Sequence, residues 1–350
     1  MQIAKLAIYG LVPSLLLQPA STQPAAQDDP THLRMNVVLV QLSIAVTDSK
    51  GNYVTGLHPD DFVISEDKIP QKISSFEEGS GTASDSTLTE IPDSSGSSQP
   101  GASTAALQNP DTQMRMTPSV EPAVPALHGN DASVFVLFDT SNYMYRSFVF
   151  AQDAITDFIR SLDNRSRIAF YSYCRDLSRG IQLTSDHLRI VNAVRSTVAG
   201  DDAALYNSLL LTVKDAAPLK GRKAIVVFSN GPDNASSVPP EDVAELAQST
   251  GTIIYIISTR QAEEDPASAA AFERMSKVSG GKAYFAKNWL DEKKAFASIR
   301  EDLVHLYTIS YYPQANPNHG WRSIKVSLVG KNLQKYRLRT RDGYRLTAQR

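Results

Sequence analysis

Apolar residues fall along this chain in three regimes. Between Met35 and Phe76 they alternate with polar ones or come in short runs. Val37-Val38-Leu39-Val40 continues into Leu42, Ile44 and Val46, separated by Gln41, Ser43 and Ala45. A period of two predicts a half-buried strand. Asp48-Ser49-Lys50-Gly51-Asn52 is turn chemistry. Tyr53-Val54, Phe62-Val63-Ile64 and Ile73-Ser74-Ser75-Phe76 predict three more short strands, with Asp60-Asp61 and Glu66-Asp67-Lys68 marking turns between them.

From Asp131 the pattern changes to continuous apolar runs separated by helical periods. Val134 to Phe138, Lys223 to Phe228 and Thr252 to Ser258 read as strands buried on both faces. Arg167 to Cys174 is a further strand, Ser178 to Leu183 a short return strand expected at an antiparallel edge, and Lys282 to Ala286 the last of the set. Between them, Ser147 is expected to cap a helix with Phe148, Ala151, Ile155, Phe158, Ile159 and Leu162 on one face. Ser185-Asp186 opens a helix running through Val194, and another spans Leu205 to Ala216. Pro239-Pro240-Glu241-Asp242 opens a fourth, with acids near the positive end of the dipole and Gly251 as its stop. Pro266 to Gly280 and Asp291 to Leu306 complete the helices. Strand–helix alternation of this kind predicts an α/β fold: a doubly wound, mostly parallel sheet with helices on both faces.

The tail returns to strands, at Tyr307 to Tyr312, Ser323 to Leu328 and Tyr336 to Thr340. Segments 31–78 and 307–350 are each too short to hold a core alone. They are expected to pair into one β-sandwich, which makes the α/β domain at 131–306 an insertion. Residues 79–130 are rich in Ser, Gly and Thr with scattered Pro, cannot bury enough apolar area to offset chain entropy, and read as a disordered linker.

At the amino end Lys5 precedes the short apolar stretch Leu6 to Leu17, followed by Ala20, Ser21, Ala25 and Ala26. That order reads as a secretory signal peptide over 1–27. A secreted or periplasmic protein is expected, with no membrane span after signal removal. The 350 residues are 42% hydrophobic and 21% charged with a net charge of -2; this is globular composition for two domains and argues against nucleic acid as a partner. Cys174 is the one cysteine, so no internal disulfide can form, which for an exported chain fits a bacterial envelope.

The candidate chemistry lies at Asp139-Thr140-Ser141-Asn142, short oxygen-bearing side chains at the carboxyl end of the first buried strand. Open α/β sheets place their ligands there. Enzyme readings find little support. No glycine-rich phosphate loop follows the first strand and no G-x-S-x-G elbow precedes a helix. His32, His58, His128, His187, His305 and His319 lack metal-ligand spacing. Cys174, among aromatics, reads as a structural thiol. No catalytic residue is expected; the alternative is a hydrolase or phosphotransferase using Asp139, a class that needs a second acid where Ser141 stands.

Asp139-Thr140-Ser141, the loop Gly200 to Tyr206 and Ser229-Asn230-Gly231 together resemble the three ligand loops of a von Willebrand factor A domain, over about Ala132 to Leu306. Outside it, Val46-Thr47-Asp48-Ser49-Lys50-Gly51 with Gly56-Leu57 and Asp61-Phe62, and Tyr311-Tyr312-Pro313 with Arg341-Asp342-Gly343-Tyr344, are similar to flanking segments in a family of secreted bacterial proteins described from acidobacteria. The resemblance implies a metal-ion-dependent adhesion site with the pattern Asp-x-Ser-x-Ser, a Thr on the second loop and an Asp on the third. Mg²⁺ in such a site keeps a coordination position for a partner's acid.

Asp139 and Ser141 match that pattern. Tyr143 replaces the second Ser, Ala203 the Thr and Asn230 the second Asp. The oxygens left for Mg²⁺ are those of Asp139, Ser141 and Asn230, with Asp201 and Asp202 as possible helpers. The expectation is a degenerate site needing no cofactor, whose loop residues Thr140, Asn142, Tyr143, Ala203 and Gly231 serve a secreted, non-enzymatic adhesion-type module. The expected partner is a protein or an envelope component.

Overall fold

In the computed structural model, residues 39–79, 132–163, 165–259 and 265–346 are described. The export segment expected over 1–27 and, beyond Gly79, the linker expected over 79–130 lie outside them.

The amino-terminal part contributes β1 (Val40–Thr47), β2 (Phe62–Glu66), β3 (Ile69–Gln71) and β4 (Ile73–Glu78). Tyr53-Val54 does not form a strand; Tyr53 makes one isolated bridge to Thr47. The turn after Ile64 is also shorter than Glu66-Asp67-Lys68. Glu66 belongs to β2 and is buried, and only Asp67 and Lys68 turn the chain, both at positive φ. Two positive φ values suit the twist of a tight hairpin. Asp67 is held in place by the Asn316 and Asn318 amides and the Ser323 N–H, which together lower its pKa.

The α/β part runs β5 (Ser133–Asp139), α1 (Phe148–Ser161), β6 (Arg167–Tyr173), β7 (Leu177–Thr184), α2 (His187–Arg195), α3 (Leu205–Ala216), β8 (Lys223–Ser229), α4 (Pro240–Thr250), β9 (Ile253–Thr259), α5 (Pro266–Ser279), β10 (Ala283–Ala286) and α6 (Trp289–His305). The strand order is β10-β9-β8-β5-β6-β7. All neighbours are parallel except β7, which runs antiparallel to β6 at the edge.

The unbroken apolar run of β5 follows from its central place. Val134, Val136 and Phe138 enter one core layer with residues of α1, α2 and α6. Phe135 and Leu137 enter the other with residues of α3, α4 and α5. Local chemistry sets the helix ends. The Asp186 carboxylate accepts the Arg189 N–H at 3.0 Å, and Asn288 accepts the N–H groups of Leu290 and Asp291, which starts the last helix ahead of Asp291. Gly251 closes α4 at φ 68°, where a side chain would be strained. Ser147 stands at the head of α1, but its hydroxyl makes no capping bond.

β11 (Tyr307–Tyr311), β12 (Trp321–Leu328), β13 (Arg337–Arg339) and β14 (Gly343–Arg345) follow. They interleave with the amino-terminal strands into two antiparallel sheets, β13-β1-β11-β4 and β14-β12-β2-β3. Both sheets feed one core that includes Leu42, Ile44, Phe62, Ile64, Tyr307, Ile309, Tyr311, Ile324 and Tyr344. This is the β-sandwich of amino- and carboxyl-terminal segments. Inside it the Glu66 carboxylate accepts hydrogen bonds from Arg322 Nη1 at 2.8 Å, Tyr311 Oη at 2.9 Å and Tyr344 Oη at 3.0 Å. At the seam with the inserted domain, Asp302 of α6 accepts from Arg339 Nη2 at 2.5 Å and from the Tyr53 hydroxyl. The Arg341 guanidinium donates to the carbonyls of Gln248 on α4 and Gln41 on β1.

Candidate functional site

The loops leaving β5, β6 and β8, with the segment before α3, meet at the carboxyl edge of the parallel sheet. Backbone bonds tie them together. Gly200 N donates to Thr140 O at 2.6 Å, Asn142 N to Asp201 O at 2.7 Å, and Ala204 N to Cys174 O at 2.8 Å. Gly200 is where this closeness leaves no alternative: a Cβ there would stand 2.7 Å from Cys174 Cβ and 2.8 Å from its Sγ.

Asp139 lies at the centre, 1% exposed. Its Oδ1 accepts the Ser141 N–H at 2.9 Å and its Oδ2 accepts the Ser229 hydroxyl at 2.8 Å. Ser229 Oγ in turn accepts from Tyr173 Oη at 3.1 Å. Burial raises the Asp139 pKa, and the nearby Ser141 hydroxyl and these hydrogen bonds partly oppose the rise. The Asn230 amide donates from Nδ2 to Tyr143 O at 2.7 Å, which fixes the third loop against the first. Asp139, Ser141, Tyr143 and Asn230 are therefore one group in space.

The remaining sequence candidates have other positions. Thr140 is buried and its hydroxyl donates back to Tyr173 O at 2.8 Å, so it holds the loop and does not face a ligand. Ala203 is buried, with its N–H on Asn234 Oδ1 at 2.8 Å. Asn142 is exposed and Gly231 is buried. Asp201 and Asp202 stay at the rim: Asp201 is exposed, and Asp202 lies 3.8 Å from the exposed Arg175.

Two buried oxygens in this group, Ser141 Oγ and Asn230 Oδ1, have no hydrogen-bond partner. One is a hydroxyl and the other an amide oxygen, both with lone pairs free beside a carboxylate, and they decide whether the ion implied by the family pattern fits. One carboxylate, one hydroxyl and one amide oxygen converge, and both carboxylate oxygens already accept protein donors. Tyr143 turns its carbonyl to Asn230, and Ala203 contributes no side-chain oxygen. A divalent cation would meet a single formal negative charge and too few free ligands for octahedral coordination. Among the described residues no group of three or more His, Cys, Asp or Glu is placed to hold a metal. The residues present do not fit Mg²⁺.

Large apolar side chains surround the same edge. Tyr145, Val149 and Phe150, at the head of α1, and Val198, in the segment leading to Gly200, are all exposed, Val149 by 62% and Phe150 by 63%. Tyr145 and Val149 share a stripe with Gln152. Tyr145 Oη donates to Gly200 O at 3.0 Å and Gln152 Nε2 to Val194 O at 2.8 Å and Thr197 O at 3.3 Å, so the head of α1 is tied to the segment that carries Val198. Trp289 and Leu290, exposed in the first turn of α6, lie at the same edge.

Sequence reasoning missed Tyr173 and Asn234 as supports and the apolar rim as a feature. Val149 and Phe150 are apolar residues off the buried face of α1, and that mismatch is the signal for the rim. Asn234 accepts the Ala203 N–H from 31 residues away, a pairing no local pattern carries.

The sequence profile of the von Willebrand factor type A domain matches residues 133–299. Those residues are a von Willebrand factor type A domain. Solved structures similar to the chain at low identity include three bacterial proteins. BatB from Bacteroides thetaiotaomicron is 16% identical, with 49% of this chain and 97% of that one aligned at a TM-score of 0.42. A von Willebrand factor type A protein from Catenulispora acidiphila is 12% identical over 61% of this chain and 66% of that one, at 0.43. The vWF domain of the type V pili tip protein Mfa5 from Porphyromonas gingivalis is 12% identical over 49% and 94%, at 0.41. No curated protein matches the chain. Among the described residues no helix is long and apolar enough to cross a membrane.

Proposed function

We propose that this chain is an exported, non-enzymatic interaction module that takes a protein of the cell envelope or its surroundings on the carboxyl edge of its von Willebrand factor type A domain, without a metal ion. The observation that carries this reading is the rim of exposed apolar side chains, Tyr145, Val149, Phe150 and Val198, beside the loops around Asp139. Several large apolar side chains exposed beside a polar-centred edge are what a partner covers. Asp139 argues against the hydrolase or phosphotransferase alternative, because both of its carboxylate oxygens accept hydrogen bonds from the protein in a buried position. The export step rests on the amino-terminal sequence.

The test is capture of partners from native envelope extract by the full chain, repeated in EDTA. Val149→Asp with Phe150→Ser should abolish capture of any specific partner, and EDTA should leave capture unchanged. Leu188→Ser is the control, because Leu188 is exposed at the start of α2, where the antiparallel β7 has carried the chain to the far edge. Capture that survives the rim variant, or that requires a divalent ion, would overturn the reading.

A further inference from the structure

The rim describes where a partner sits; the buried centre describes what the partner must bring. Asp139 is the one acid of the central group, and the groups that hold it are an N–H and a hydroxyl, both neutral. The two unpartnered oxygens beside it, Ser141 Oγ and Asn230 Oδ1, are more than nine-tenths buried. Asn230 has committed its amide nitrogen to Tyr143 O, so its free atom is an acceptor. The centre therefore offers acceptors around a single carboxylate, and its one donor without a partner is the Ser141 hydroxyl, which can turn towards Asp139 and leave its lone pairs free. At the rim Asp201 and Asp202 add negative charge on the approach, opposed by Arg175. Gly231 leaves room there, since a Cβ added to it would meet nothing within 4 Å.

We propose that this group of oxygens receives the ammonium group of a lysine carried by a protein partner, in a segment whose flanking residues are apolar. An ammonium has three donors and no acceptor, and its single charge balances that of Asp139. Its aliphatic stem and the neighbouring side chains would lie over Tyr145, Val149 and Val198. A guanidinium carries the same charge but needs a flat fork of acceptors, and a partner acid would meet Asp139 with like charge. The inference rests on the reading of this edge as an interaction surface, and it reverses the polarity of a site in which a metal ion collects a partner's acid.

The experiment follows the Asn230 side-chain amide resonance of the isotope-labelled full chain by NMR. The probes are acetylated, amidated pentapeptides Ser-Val-X-Val-Ser with X as lysine, arginine, norleucine or glutamate, the last with and without Mg²⁺. The lysine peptide is expected to shift the Asn230 resonance saturably, with the norleucine and glutamate peptides inert. Asp139→Asn should weaken the lysine peptide about tenfold or more, as loss of a buried charge partner does. Equal binding of the lysine peptide to the Asp139→Asn variant, no binding of it at all, stronger binding of the arginine peptide, or preference for glutamate with Mg²⁺ would each overturn the proposal. The envelope capture separates the two claims. Capture lost in the rim variant but kept in Asp139→Asn leaves the surface in place and removes the lysine; capture kept in both removes the surface as well.

Discussion

The sandwich and the edge of the α/β sheet each bury a carboxylate almost completely, and they treat it in opposite ways. Glu66 has a guanidinium at 2.8 Å and two tyrosine hydroxyls within 3.0 Å, all from the other terminal segment. Asp302, at the seam, has Arg339. Asp139 has hydrogen bonds but no cation, and two idle acceptors beside it. A buried charge costs several kcal/mol unless paired. Where the acid serves the fold, its counter-charge is built into the chain. The acid at the edge has none, which fits a counter-charge that comes from outside.

The contrast can be broken in graded steps. Arg322→Met leaves Glu66 buried and unpaired, and should lower unfolding free energy by about 3–5 kcal/mol in urea titration. A loss below about 1 kcal/mol would mean that Glu66 does not depend on its arginine. Asp302→Asn keeps the shape of the seam but takes away its negative charge from Arg339 and Tyr53. It should cost roughly 1.5–3 kcal/mol by the same measurement.

Lys223 tests the converse case, a buried cation without an acid. Its ammonium donates to Ala217 O at 3.1 Å, and burial, with Arg341 nearby, pushes its pKa down to about 8. Between that value and the ordinary 10.5 the unfolded chain holds a proton that the folded chain has released. Stability therefore rises with pH across that window. Lys223→Met should flatten the rise and add about 1–2 kcal/mol at pH 7. A stability profile unchanged from pH 7.5 to 10.5 would show that the amine is solvated. The smallest effect belongs to Asp139→Asn. It should move stability by less than about 1 kcal/mol in either direction, because no cation is left stranded, while the lysine peptide binds about tenfold or more weakly. A loss as large as that of Arg322→Met would make Asp139 a structural acid like Glu66.

Much of the fold is legible in sequence because it is written in local signals. The run Val134 to Phe138 can only be a strand covered on both faces, and Asp186, Pro240 and Gly251 punctuate helices through chemistry within a turn or two. The limits of that reading are instructive. Glu66-Asp67-Lys68 carries three charges in a row and reads as a turn, yet Glu66 is buried because its partner Arg322 is 256 residues away. No local pattern carries that pairing. β3 and β14 were missed for a related reason: each is three residues long and is a strand by virtue of its neighbour. At the edge, Asp139, Ser141 and Asn230 are visible as oxygen-bearing residues after buried strands. That Ser141 Oγ and Asn230 Oδ1 go unpartnered depends on where Tyr143 O and the Ser141 N–H point, and backbone direction in loops is not a sequence property.

The interleaving of the two terminal segments also fixes an order of events. β1 lies between β11 and β13, and β2 pairs with β12. A chain delivered amino end first must hold β1 and β2 without these neighbours until the whole inserted domain has arrived. Closing so wide a loop is slow, and unpaired strands that wait are prone to join the wrong chain. The inserted domain has its own core layers and can form earlier, bringing Glu78 and Tyr307 together, where β4 and β11 already face each other in register. Maturation of this protein should thus end with the closing of a clasp, and anything that delays the last forty residues leaves a finished head on an open handle.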